Sequence, residues 1–103
     1  MEKRYKLIFD DVMRKQLKKA AKNHHIKEIL TKMLDKLEFS GPDAGELLDP
    51  QLSLYEVKIK HPPIRLYFKH NKSANEIYVF EFEMKTSPEK QKATIKKLKQ
   101  KAA

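Results

Sequence analysis

Lys58, Lys60, Arg65, Tyr67, Lys69, Glu81, Glu83 and Lys85 recur at strand-like spacing through the second half of the chain. In a β-strand, side chains two residues apart share a face. If Tyr55, Val57, Ile59, Ile64, Leu66, Phe68, Tyr78, Phe80 and Phe82 cover an apolar layer, the charged set is sent to the opposite side of the sheet. Cations then converge on one face with two carboxylates among them, and the chemistry such a face performs is phosphate binding. Arg65 is the most telling of these residues. It interrupts an aliphatic and aromatic strand, and its planar fork is shaped for two-pronged contact with a phosphate. The competing reading is an ordinary solvated sheet face, on which Lys and Glu pair across strands.

His61 lies in the turn between Lys60 and Arg65, within reach of a phosphate bound there. Tyr67 has the parity to stack on a base, or else to pack across strands. His24 and His25 stand at a break between two helical patterns, where polar residues are expected, and no spacing in the chain resembles a metal-ligand set.

The elements that must position these residues follow from periodicity. Tyr5, Leu7 and Phe9 alternate as in a half-buried strand. Asp10 or Asp11 offers an N-cap, after which Met13, Leu17, Ala20 and Ala21 recur at helical spacing. Beyond Asn23-His24-His25, the residues Ile26, Ile29, Leu30, Met33, Leu34 and Leu37 form a second helical stripe that Gly41-Pro42 stops. The segment 42–53 reads as a loop with a short extended stretch at 46–48. Three strands follow, around Tyr55–Ile59, Ile64–Lys69 and Ile77–Met84, and Ser87-Pro88 opens a last helix with Ala93, Ile95 and Leu98 as its apolar contacts. This order predicts an α+β fold: a small antiparallel sheet with an N-terminal strand, a helical hairpin on one face, three C-terminal strands and a C-terminal helix. A dinucleotide-binding βαβ fold would need a Gly-rich turn after a strand, and the chain has only 2 glycines.

The chain of 103 residues suits one domain with one core. Its 23 Lys and Arg against 14 Asp and Glu give a formal charge of +9, which points to a polyanion or an acidic partner. With 0 Cys, thiolate metal sites and thiol nucleophiles are excluded. No apolar run approaches the ~18 residues of a membrane span, so a cytoplasmic protein without a membrane role is expected.

Leu54-Tyr55-Glu56-Val57-Lys58, then Ile64-Arg65-Leu66-Tyr67-Phe68, then Phe82-Glu83-Met84-Lys85-Thr86-Ser87-Pro88 and a basic helix resemble the HigB-like branch of the RelE/ParE toxin superfamily. In that branch the pattern reads approximately Leu-aromatic-Glu-aliphatic-Arg, then Arg within an apolar strand, then Phe-x-Lys-Lys-Thr, Pro and a helix. The resemblance implies a RelE-like fold over residues 1–103 and the toxin of a toxin–antitoxin pair, an endoribonuclease that cuts messenger RNA on the ribosome and needs no cofactor or metal. Its partners would be a cognate antitoxin protein and messenger RNA, with exposed apolar positions such as Val12, Ile95 and Leu98 as antitoxin contacts. Lys58, Arg65 and Lys85 would be the catalytic residues, with Lys60, His61, Tyr67 and Lys69 as RNA contacts. Lys60 or His61 would handle protons, with Glu81 or Glu83 as alternative bases. Two positions depart from the pattern: Lys58 replaces the usual Arg, and Met84 replaces the first Lys of Lys-Lys-Thr. The second raises the alternative of a catalytically silent RNA-binding protein, and a gyrase-directed ParE-like toxin is the other.

Overall fold

The computed structural model describes residues 4–103. In chain order it contains β1 (Lys6–Phe9), α1 (Asp11–Ala20), α2 (His24–Ser40), a 3-10 turn (Gly41–Ala44), β2 (Glu46–Asp49), β3 (Leu54–Ile59), β4 (Ile64–Asn71), β5 (Glu76–Met84) and α3 (Pro88–Ala102). The sheet order is β1-β5-β4-β3-β2. Strands β2 to β5 form an antiparallel meander, whereas β1 lies parallel to β5. That single parallel edge arises because the helical hairpin carries the chain away from β1 before the meander begins.

Local chemistry sets the helix ends close to where the sequence places them, except that His24 and His25, read as a break, begin α2. Asp10 caps α1 by accepting from the Val12 N–H, Asn23 caps α2 by accepting from Ile26, and Ser87 caps α3 with Pro88 in its first turn. Helix α2 ends at Gly41, which has φ +56°; a Cβ there would overlap the ring of Tyr5, so both the backbone angle and the space demand glycine. On this side of the sheet Met13, Leu30, Met33 and Leu37 of the hairpin pack on Val57, Ile64, Leu66, Phe68, Ile77 and Val79.

The opposite face carries a second core. Leu98 and Ala102 of α3 pack there on Leu54, Tyr67 and Phe80, with Tyr78 and Ile95 at the margin. The placement of Tyr78 and Phe80 reverses the parity expected from strict alternation. Tyr67 pairs with Glu81 while Phe68 pairs with Val79, so Phe80 is an extra residue in β5. This bulge lets Phe80 and Glu81 both face α3. Beyond it, Phe82 and Met84 return to the hairpin side. The face expected to be open and cationic is therefore half covered by a helix, and Leu98, expected as an antitoxin contact, is fully buried. Val12 is exposed and Ile95 half-buried.

Asp10 ties three elements together. Besides capping α1, it accepts from the Tyr78 hydroxyl of β5 at 2.8 Å and from Lys101 Nζ of α3 at 2.9 Å. Burial alone would raise its pKa, but the hydrogen bonds from Lys101, Val12 and Tyr78 outweigh that and hold it below the ordinary 3.8. A carboxylate with a depressed folded pKa contributes stability in full above the unfolded value and loses it as pH falls through the folded one. Asp10→Asn keeps an acceptor for the helix cap but removes the charge. It should lower the unfolding free energy by about 1–2 kcal/mol at neutral pH, and the gap to the unmodified chain should narrow as pH drops below ~4. Urea titrations of both proteins at neutral and acidic pH check this.

Candidate nucleic-acid interface

The register of the meander decides which charges meet. On the α3 side, Lys58, Arg65 and Glu83 form one row across β3, β4 and β5, and Glu56, Tyr67 and Glu81 form the next. The inner row and Glu83 are buried: Glu56 is 3% exposed, Tyr67 0%, Glu81 6% and Glu83 7%. A carboxylate is tolerated at such depth only when donors replace its lost water. Each has them. Glu56 accepts from Arg65 Nη1 and from Gln91 Nε2 of α3, both at 2.8 Å. Glu83 accepts from the Tyr67 hydroxyl at 2.9 Å and the Thr86 hydroxyl at 3.3 Å, and Glu81 pairs with Lys97 of α3 at 2.9 Å.

Where α3 leaves the sheet uncovered, a hollow of about 270 Å³ opens, lined by Lys58, Ile59, Lys60, Pro63, Ile64, Arg65 and Thr86. Lys58 and Lys60 are exposed and, among the described residues, no carboxylate pairs with either. Unpaired ammonium groups beside an oriented guanidinium make a site for an anion that presents several oxygens, as a phosphodiester does. A larger hollow of about 620 Å³ lies at the other end of the sheet, lined in part by Asp10, Lys69, Tyr78 and Lys101. Two of its cations are engaged, Lys69 Nζ donating to the Ala102 carbonyl at 2.7 Å and Lys101 to Asp10, while Lys72 is exposed and, among the described residues, pairs with no carboxylate. The smaller hollow gathers more of the free charge, with Lys58 and Lys60 both unpaired beside Arg65.

Of the residues singled out from sequence, Lys58, Lys60 and Arg65 are brought together. His61 is exposed in the turn beside Lys60 and does not line the hollow. Lys85 is exposed one residue past β5, at φ 52°, with its N–H donated to the Pro63 carbonyl at 3.2 Å; Thr86, not Lys85, reaches the wall. Tyr67 and Lys69 are corrections. Tyr67 has no exposed surface on which a base can stack, because α3 covers it; burial and the neighbouring Glu83 push its hydroxyl far above the ordinary tyrosine pKa. Lys69 is half-buried and serves the C-terminal turn of α3. Glu81 and Glu83 are buried and engaged rather than open to a substrate. Met84 faces the hairpin, opposite Ile64 and away from Arg65, so its difference from Lys takes no cation out of the hollow. Sequence reasoning missed Glu56, Thr86 and Gln91. Glu56 shares strand parity with Lys58, which was signal enough to place it on this face.

No protein-family profile matches the sequence, and a search of curated proteins finds no relative. Solved structures do match. The isolated RelE toxin of E. coli superposes with a TM-score of 0.64 at 22% identity, over 91% of this chain and 98% of that one. A mutant of E. coli RelE in the free state gives 0.67 at 21% identity, over 90% and 96%. The toxin–antitoxin complex RelBE2 of Mycobacterium tuberculosis gives 0.63 at 13% identity, over 79% and 98%. The chain thus has the fold of the RelE toxins, as its motifs implied.

The geometry separates packing from RNA contact at Tyr67. Tyr67→Phe withdraws a donor from buried Glu83 and should cost about 1–3 kcal/mol of stability. RNA affinity measured by fluorescence anisotropy should not change. A weakened complex with unchanged stability would return Tyr67 to the binding surface.

Proposed function

We propose that this chain is the toxin of a toxin–antitoxin pair and acts as a metal-independent endoribonuclease on messenger RNA engaged by the ribosome. The observation that carries this reading is the hollow in which unpaired Lys58 and Lys60 flank Arg65 on a RelE-like fold. The motifs around Lys58, Arg65 and Lys85 favour the HigB-like branch. The antitoxin would be a protein neighbour encoded beside it, in keeping with the RelBE2 complex among the similar structures.

The chemistry is attack of a ribose 2′-hydroxyl on the adjacent phosphorus, with departure of the 5′-oxygen of the next nucleotide. In this assignment Arg65 holds a non-bridging oxygen, Lys58 neutralises the charge that grows on the phosphorane, and Lys85 steadies the strand from beyond the hollow. Proton transfer falls to Lys60 or His61, because Glu81 and Glu83 are buried beneath α3, Glu81 against Lys97 and Glu83 bonded to Tyr67. Because Met84 points to the other side of the sheet, the silent-binder alternative loses its main support.

The double substitution Lys58→Ala, Lys60→Ala is the cleanest test, since both side chains are exposed and unpaired and their removal should leave the fold intact. Expression of the unmodified chain in a bacterial host should arrest growth and produce new transcript ends inside translated regions, read by primer extension. The double variant should relieve both. Its binding of single-stranded RNA should show a shallower log–log salt dependence, by ~0.7 for each phosphate it no longer neutralises. Arrest with intact transcripts would favour a gyrase-directed toxin; intact growth with salt-sensitive RNA binding would favour a silent binder.

A further inference from the structure

Glu56 presents a puzzle for a phosphate site. It is a carboxylate bonded to Arg65, which lines the cationic hollow, and by charge alone it opposes an incoming phosphate. Yet it is 3% exposed, and neither oxygen is idle: one takes Arg65 Nη1 and the other takes Gln91 Nε2, each at 2.8 Å. Arg65 needs such a holder. Lys58 and Glu83 flank it in the register, one repelling and one attracting the guanidinium, and a long side chain at a partly open site has several rotamers available. Arginine offers five N–H donors in a fixed plane, so a bond at one edge fixes where the others point. Here buried Glu56 takes an Nη1 hydrogen while the Arg65 side chain, 30% exposed, also lines the hollow. Gln91 braces the carboxylate from α3, so the angle of Arg65 depends on two elements besides its own strand.

We propose that Glu56 is a positioning residue: its carboxylate, steadied by Gln91, fixes the Arg65 guanidinium so that its free donors face the bound phosphate. The inference rests on the RNA-site reading above and adds to it the residue that shapes the site. It makes a prediction opposite in sign to simple electrostatics. If Glu56 only weakened phosphate binding by its charge, Glu56→Gln would tighten RNA binding and Glu56→Asp would leave it unchanged. If Glu56 positions Arg65, Glu56→Asp keeps the charge but draws the oxygen back by one methylene, and binding weakens. Glu56→Gln keeps one acceptor in place for Arg65, with the Gln91 amide turned over so that its oxygen accepts from the new NH2, and binding is largely preserved.

The experiment measures affinity of the full chain for a fluorescein-labelled, mixed-sequence single-stranded RNA oligonucleotide, with circular dichroism to verify folding. Glu56→Asp is expected to bind ~5-fold more weakly and Glu56→Gln to stay within ~2-fold of the unmodified chain, the span typical of coupled neighbouring side chains. On an Arg65→Gln background, Glu56→Asp should have no further effect, since its action runs through Arg65. In the unmodified chain, nitrogen-15 NMR should show hindered rotation of the Arg65 guanidinium, a readout that needs no substitution. Unweakened binding by Glu56→Asp, an equal loss on the Arg65→Gln background, or a freely rotating guanidinium would each overturn the positioning role. If Arg65→Gln and the Lys58, Lys60 double variant bind RNA as the unmodified chain does, the hollow itself is not the RNA site and the wider reading falls with it.

Discussion

The seating of α3 on the sheet is the constraint from which most of this structure follows. The helix is poor in apolar residues: Leu98 and Ala102 are its buried hydrophobic contacts and Ile95 is half-buried. The remaining hold is ionic and polar. Gln91 meets Glu56, Lys97 meets Glu81, Lys101 meets Asp10, Lys99 approaches Asp49 at 3.7 Å, and Lys69 reaches back to the Ala102 carbonyl. A basic helix thus lands on acids placed along one sheet face and its margins. In each ion pair the carboxylate is the more buried partner and the lysine the more exposed one, so flexible ammonium stems bring charge to sites that a second rigid group would not reach. Because the acids beneath α3 are consumed in this way, the cations beyond its edge are left without them. The free charge of the hollow is the remainder of that arrangement.

Much of the architecture was legible in the sequence because its signals are local. Asp10, Asn23 and Ser87 cap the helices they precede, Gly41 ends α2, and alternation located β3, β4 and β5. The faces were harder to read. Alternation counts in twos, and one inserted residue at Phe80 shifts the count, so Tyr78 and Phe80 belong with α3 while Phe82 and Met84 belong with the hairpin. Nothing in the types of Val79, Phe80 and Glu81 marks the bulge, since Phe80 is apolar and finds an apolar layer on either side. The pairing of β1 with β5 depends on a contact between distant parts of the chain that no periodicity encodes.

The limits of alternation also explain what was misread at the site. Lys58, Lys60 and Arg65 were placed together correctly because β3 and β4 pair without a shift between Leu54 and Ile64. Tyr67 and Lys69 lie on the same face but farther along it, under a helix whose docking involves residues distant in sequence. Exposure is a property of the second layer, and strand parity speaks only of the first. The resemblance in the motifs and the similarity in fold therefore agree on the architecture, while the depth of Tyr67, Glu81 and Glu83 leaves the cations at the rim as the charged strand residues still open to solvent on this face.

Gln16 of α1 gives its amide to both backbone groups of Phe82: Nε2 donates to the carbonyl and Oε1 accepts from the N–H, each at 2.9 Å. Strand β1 ends its pairing with β5 at Val79, so this part of β5 is a sheet margin that β1 does not reach. A primary amide has the same donor and acceptor pair as a peptide bond, and here one side chain imitates a single residue of a missing strand. The outcome bears on how such a chain behaves at high concentration. A bare margin next to Phe80, Phe82 and Met84 would invite stacking of one molecule's sheet on another's, and the glutamine occupies the backbone position at which that growth would start.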